Sequence, residues 1–157
     1  MKKILKKTFG AAVILSAFAV SSAQAMTNLK GEQSHISSYA GKGKWLVVQV
    51  WKSDCKMCNT AMPDLVKFAN KLPNSTVVGV TLDTNKNAIN AFNKRHKVHF
   101  PTLKSSVQEM NGYLKQIADE GLTGTPTYLI YSPNGQLKAM QPGLVPAASI
   151  YNFLNQQ

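Results

Sequence analysis

The chain has 157 residues, 44% hydrophobic and 16% charged, a composition that fits a folded protein and excludes a disordered or collagen-like chain. This length suits one domain. The formal net charge is +11, but the positive residues are scattered and include a single arginine, Arg95. A clustered basic surface of the kind that binds nucleic acid is therefore not predicted.

The first 25 residues have the pattern of a secretory signal peptide. Four early lysines precede an apolar run from Phe9 to Val20, and small residues at Ala23 and Ala25 suit cleavage. The run has about 12 residues, whereas a helix that spans a membrane needs about 20. We therefore expect residues 1–25 to be removed near Ala25, and residues 26–157 to form an exported, periplasmic domain without stable membrane insertion. Loss of four lysines lowers the net charge to +7.

The rest of the chain alternates between strand and helix patterns. Nearly continuous apolar runs predict strands that are buried on both faces, and apolar residues three and four apart predict amphipathic helices. After an irregular segment over 29–43, strands are predicted over 45–50, 76–82, 98–103, 126–131 and 136–140, and helices over 55–72, 87–95, about 107–117 and from 146. Gly121 is the predicted stop of the third helix. Alternating elements of this kind predict an α/β fold with a mainly parallel sheet.

The chemistry is predicted at the two cysteines of the chain, Cys55 and Cys58, which follow a buried strand and begin a helix. A bridge between residues so close in sequence adds little stability, which favours a chemical role for the pair. Unpaired backbone N–H groups and the helix dipole favour a thiolate at Cys55, which would therefore be the nucleophile. Cys58, one turn further along, would be the more buried, resolving thiol.

Other uses of this pair remain open from the residues alone. A c-type haem site would need histidine where Asn59 stands, and an iron–sulfur cluster would need more cysteines. Zinc could use the pair with His96 and His99, and copper(I) could use it with Met57. An inert local disulfide is the remaining alternative.

A second motif, Gly-Thr-Pro-Thr at 124–127, stands at the start of a predicted strand. Together with residues 51–58 and Pro63, this motif resembles the thioredoxin superfamily, and within it the TlpA/ResA/DsbE group of exported thiol–disulfide oxidoreductases. The resemblance implies a thioredoxin fold, with a central mixed sheet flanked by helices. Cys58 and Pro126 are far apart in sequence, and the helix and strand over 87–103 resemble the insertion typical of that group.

The resemblance also implies roles for single residues. Pro126 would be a cis-proline beside the cysteines, and Thr125, Pro126 and Trp51 would contact the substrate. Three residues would modulate the pKa values of the cysteines: Asp54, which replaces a family tryptophan, Lys56, and Gln49, which stands where relatives have Asp or Asn and cannot titrate. An aspartate next to Cys55 opposes a thiolate, whereas Lys56 favours it.

We therefore predict an enzyme that reduces protein disulfides, without a cofactor or a metal ion. By family association its role would be in cytochrome c maturation or general thiol reduction, with disulfide-containing proteins as substrates and a membrane electron donor of the DsbD/CcdA type. A DsbA-like oxidase or isomerase is the alternative enzyme, and a zinc- or copper-binding module is the alternative outside enzymes.

Overall fold

The computed structural model describes residues 26–157, so the predicted signal peptide lies outside the described residues. These residues form one six-stranded sheet with helices on both faces, and the strand order is β1-β4-β3-β2-β5-β6. The three strands β2, β3 and β4 are parallel, and the other neighbours pair antiparallel. The strands are β1 (Thr27–Asn28), β2 (Trp45–Trp51), β3 (Ser75–Thr81), β4 (Thr102–Lys104), β5 (Thr127–Tyr131) and β6 (Leu137–Pro142). The helices are α1 (Lys56–Ala69), α2 (Lys86–His96), α3 (Val107–Ala118) and α4 (Ala147–Asn155), with a short 3₁₀ helix at Ile36–Ser38.

The central strand β2 is buried on both faces, as its apolar sequence predicts. Alternate side chains such as Val48 pack with Met110 and Leu114 of α3. The side chains between them pack on the other face, where Val47 lies in a cluster with residues of α1 and α4, and Trp51 lies in a cluster with residues of α1 and α2. Helix α3 therefore covers one face of the sheet, and α1, α2 and α4 cover the other.

The structure corrects three predicted boundaries. Helix α1 begins after Cys55 and ends at Ala69 rather than at 72. The strand predicted over 98–103 is only Thr102–Lys104, because the residues before it terminate α2: the N–H of Val98 bonds to the carbonyl of Asn93. Helix α3 ends at Asp119, which adopts a left-handed conformation (φ 57°), and not at the predicted Gly121.

The topology brings three chain segments together at one edge of the sheet. Trp51, the last residue of β2, pairs with Thr81, the last residue of the parallel strand β3. The antiparallel strand β5 begins at this same edge, where Thr127 pairs with Val50. The loop that leads to the cysteines, the residues after β3, and Pro126 therefore meet at this edge.

Among residues 26–157, the helices are all too short or too polar to cross a lipid bilayer.

Candidate active site

The two cysteines lie at the junction of β2 and α1 and form a disulfide. Cys55 is the N-cap of α1, and its Sγ accepts the backbone N–H of Cys58 at 3.1 Å. This is the position where the first N–H groups of a helix have no partner within the helix. Cys55 is partly exposed, whereas Cys58 is completely buried. The two sulfurs therefore differ in exposure and in hydrogen bonding. The side chain that caps the start of α1 is thus the sulfur of Cys55 itself.

The second predicted motif lies directly beside the first. The Thr125–Pro126 peptide bond is cis, as predicted, and the Sγ of Cys55 lies 3.2 Å from the carbonyl oxygen of Thr125. Pro126 is buried, and its carbonyl accepts the N–H of Gly143 at 2.7 Å. Residues about 70 positions apart in sequence thus form one site, with Cys55 at its partly exposed surface.

Two polar side chains that the sequence analysis did not single out hold the loop before Cys55. The carboxylate of Asp83, just after β3, accepts the N–H of Ser53 at 2.7 Å. The side-chain amide of Asn59 donates to the carbonyls of Ser53 and Cys55 at 3.0 and 2.9 Å. Both main-chain polar groups of Ser53 are therefore bonded, which fixes the approach of the chain to Cys55.

The charges next to Cys55 point into solvent. The Nζ of Lys52 lies 3.4 Å from the Oδ1 of Asp54, and the Asp54 side chain is 75% exposed. Lys56 is exposed as well. Exposed pairs of this kind are screened by water and salt. The opposing influences of Asp54 and Lys56 on Cys55 remain a prediction.

Trp51 supports the site from beneath, and its predicted contact with substrate is corrected. Its side chain is completely buried and stacks on Phe92 of α2, with ring centroids 4.1 Å apart and planes 15° from parallel. It belongs to the same apolar cluster as Cys58. A side chain in this position presents no surface to a substrate.

Gln49 is buried in β2, and its side-chain amide donates to the hydroxyl of Tyr128 at 2.8 Å. Its Oε1 has no hydrogen-bond partner. Burial raises the pKa of Tyr128 to about 12, against the opposing effect of the hydrogen bond from Gln49. The pair is therefore uncharged at neutral pH, and the influence of Gln49 on the pKa values of the cysteines stays a prediction.

The two histidines of the possible zinc site have different surroundings. The Nε2 of His96 lies 2.9 Å from the Oδ1 of Asn59, and His99 is exposed beside Phe100. Burial lowers the pKa of His96, and the positive charge of Arg95 lowers this pKa further. Within residues 26–157, no three His, Cys, Asp or Glu side chains are arranged to hold a metal ion.

A mixed sheet, a disulfide at the start of α1 and a cis-proline beside it define a thioredoxin-fold domain built around a redox disulfide. The profile of the AhpC/TSA family matches residues 17–140, and the chain belongs to this family.

Curated and solved proteins agree with this assignment. The chain is similar to thiol-disulfide oxidoreductase ResA of Geobacillus kaustophilus (strain HTA426), with 26% identity over 132 residues that cover 82% of this chain and 71% of that protein. A secreted disulfide oxidoreductase of Mycobacterium tuberculosis, homologous to E. coli DsbE, superposes with a TM-score of 0.67 at 19% identity, covering 86% of this chain and 96% of that one. A DsbF homologue of Corynebacterium diphtheriae gives a TM-score of 0.70 at 19% identity, covering 85% of each chain.

These likenesses confirm the predicted superfamily and fold. The predicted class of enzyme, thiol–disulfide oxidoreductase, is also confirmed by the family match and these relatives taken together. The predicted insertion over 87–103 stays a prediction.

Proposed function

We propose that this protein is exported, with residues 1–25 as its signal peptide, and that it reduces disulfide bonds of other proteins in the periplasm through Cys55 and Cys58. The asymmetry of the two cysteines supports this proposal best. The sulfur of Cys55 is partly exposed and receives an N–H bond, which stabilises a thiolate, whereas Cys58 is buried one turn behind it. Such a pair suits an attacking thiol and a resolving thiol.

The reaction transfers two electrons and needs no cofactor. The thiolate of Cys55 attacks one sulfur of the substrate disulfide, a mixed disulfide forms, and the other substrate sulfur leaves as a thiolate. Cys58 then loses its proton and attacks the sulfur of Cys55. The Cys55–Cys58 disulfide forms, the second substrate thiolate leaves, and both substrate thiolates take up protons.

Substrate recognition would use the edge of the site at Thr125 and Pro126. Thr125 precedes β5, which begins at Thr127, and its carbonyl lies beside Cys55. An extended substrate segment could therefore pair with the main chain of Thr125 and bring its disulfide to Cys55, as in other cases of strand addition.

The oxidised protein would need a dithiol reductant, and we propose a membrane donor of the DsbD/CcdA type. The family association with cytochrome c maturation makes apocytochrome disulfides the first substrates to test. The opposite direction, DsbA-like oxidation, uses the same two sulfurs, and the reduction potential of the pair decides between the two. Known potentials run from about −120 mV for DsbA to about −270 mV for thioredoxin.

The proposed roles are tested with the exported protein and its two cysteine variants. The wild type should catalyse reduction of insulin by dithiothreitol, and Cys55→Ser should abolish this activity. Cys58→Ser should accumulate mixed disulfides with substrates, which appear on non-reducing gels of periplasmic extracts. Absence of any disulfide-linked partner in the Cys58→Ser strain would contradict the resolving role of Cys58.

The direction of the disulfide reaction and the export of the protein are tested by separate measurements. Equilibration with glutathione should give a potential near that of thioredoxin, and a value near that of DsbA would overturn the reductive assignment. Intact mass of the periplasmic protein should show Met26 as the first residue. Retention of residues 1–25 would overturn signal cleavage without affecting the assignment of the cysteines.

A further inference from the structure

The side chain of Asn59, directly after Cys58, forms hydrogen bonds through both of its N–H groups and through its oxygen. Its Nδ2 donates to the carbonyls of Ser53 and Cys55 at 3.0 and 2.9 Å. Its Oδ1 accepts from the Nη2 of Arg95 at 2.9 Å and lies 2.9 Å from the Nε2 of His96. Both N–H donors of the amide are therefore occupied, and its oxygen accepts from Arg95. This also fixes the orientation of the amide, because carbonyls can only accept and the guanidinium can only donate. The Nε2 of His96 also lies 3.4 Å from the Nε of Arg95, which can only donate, so the direction of the His96 contact with Oδ1 follows from the tautomer of its ring.

The partners on α2 also contact the aromatic residues beneath the site. The guanidinium carbon of Arg95 lies 5.7 Å from the ring centroid of Phe92, and the ring of His96 packs edge-on against Phe92 at 4.4 Å. Phe92 in turn stacks on Trp51, the residue from which the loop to Cys55 departs. Helix α2 is therefore joined to this loop both through Asn59 and through the aromatic stack.

The carbonyls of Ser53 and Cys55 carry negative partial charge on the same segment as the sulfur of Cys55. Two N–H groups of Asn59 offset this charge, and the positive charge of Arg95 at Oδ1 strengthens both donors, because hydrogen bonds in a chain polarise one another. The result favours a thiolate over a thiol at Cys55.

We propose that Asn59 is a positioning residue which holds residues 53–55 in the geometry that activates Cys55, and that Arg95 and His96 extend this control to α2. The inference rests on the proposed role of Cys55 as the nucleophile. It assigns α2 a part in the reactivity of the site, in addition to its part in the core.

Several charged or titratable groups surround the loop to Cys55 and influence the pH at which the Cys55 thiol titrates in the reduced protein. They include Lys52, Asp54 and Lys56 on the same segment, Asp83 after β3, and Arg95 and His96 on α2.

Two variants of Asn59 and one matched control test the proposal. Asn59→Ala removes both donors, and Asn59→Asp replaces them with a negative charge. Thr60→Ala is the control, because Thr60 is the next residue of α1, is exposed, and bonds only to the carbonyl of Lys56. The measurements are the pH profile of Cys55 alkylation in the reduced protein and the equilibrium of the pair with glutathione.

Asn59→Ala should raise the apparent pKa of Cys55 and shift the glutathione equilibrium about tenfold toward the disulfide, which corresponds to a potential about 30 mV lower. Asn59→Asp should shift both further in the same direction, and Thr60→Ala should shift neither. A variant with reduced stability but with the potential and alkylation profile of the wild type would overturn the proposal, because a purely structural role predicts that result.

Arg95→Ala keeps the proposal testable if the Asn59 variants fail to fold. Arg95 is exposed, so its loss should leave the fold intact, and it should shift the alkylation profile in the same direction as Asn59→Ala but by less. An unchanged profile would overturn the coupling to α2. Failure of the proposed function is distinguishable, since it would appear as a wild type that does not reduce insulin, whereas the alkylation profile is measured without any substrate.

Discussion

The buried pair of Gln49 and Tyr128 predicts a specific loss of stability at alkaline pH. The pKa of Tyr128 is raised from 10.0 to about 12 by burial. Above pH 10 the unfolded chain releases this proton and the folded protein keeps it, so the free energy of unfolding falls as pH rises. The full shift corresponds to about 2.7 kcal/mol, and about 1.3 kcal/mol of this is lost between about pH 9 and pH 11.

Urea denaturation of the wild type and of the Tyr128→Phe variant, each at about pH 9 and about pH 11, measures this loss of stability. The variant should be less stable by about 1–3 kcal/mol at the lower pH, because the amide of Gln49 loses its partner. Between the two pH values, however, the wild type should lose about 1.3 kcal/mol more than the variant. The other buried tyrosines are present in both proteins and cancel in this difference. Equal losses in the two proteins would refute the argument that the buried phenol of Tyr128 stays protonated.

Three further substitutions test other parts of the structure. Asp54→Ala should lower the pKa of Cys55, and an alkylation profile that is unchanged or moved to higher pH would contradict the electrostatic role of this carboxylate. Gly79→Ala should lower the free energy of unfolding by about 1–3 kcal/mol, because a Cβ at this position would lie 3.0 Å from the Nε1 of the buried Trp51. An unchanged free energy of unfolding in urea denaturation would disprove this prediction. Ser106→Ala should cost about 1 kcal/mol in the same assay by removing the capping box of α3, and a change in the potential of the cysteine pair would contradict its purely structural role.

The parts of the fold that were predictable from sequence are those with a strong local signal. The run WLVVQVW in β2 is apolar except for Gln49, and only burial on both faces of a sheet accommodates such a strand. Helix ends were less predictable, because they depend on contacts that periodicity does not reveal. Asp119 ends α3 in a left-handed conformation that glycine usually adopts, and the sequence offers Gly121 as the more conventional stop.

The residues of the candidate site that belong to a sequence motif could be predicted. The residues that only hold those motifs in place were harder to predict. The CxxC pair and the Thr125–Pro126 peptide are such motifs. Asp83 follows a predicted strand, and the rule that the ends of neighbouring parallel strands meet at one edge could have brought it to the loop. Asn59 had no signal of this kind: its partners, Arg95 and His96, lie on another helix, and only the packing of α2 against α1 brings them within hydrogen-bond distance.

The surroundings of Cys58 determine where its proton goes when it resolves a mixed disulfide. Gln49, on the same face of the sheet as α1, is an amide, and its partner Tyr128 keeps its proton to about pH 12. The residue three positions after Cys58 is Ala61, whose side chain has no titratable group. None of these three side chains can accept a proton near pH 7. In the proposed reaction these three side chains therefore do not take the proton that Cys58 loses when it attacks the sulfur of Cys55.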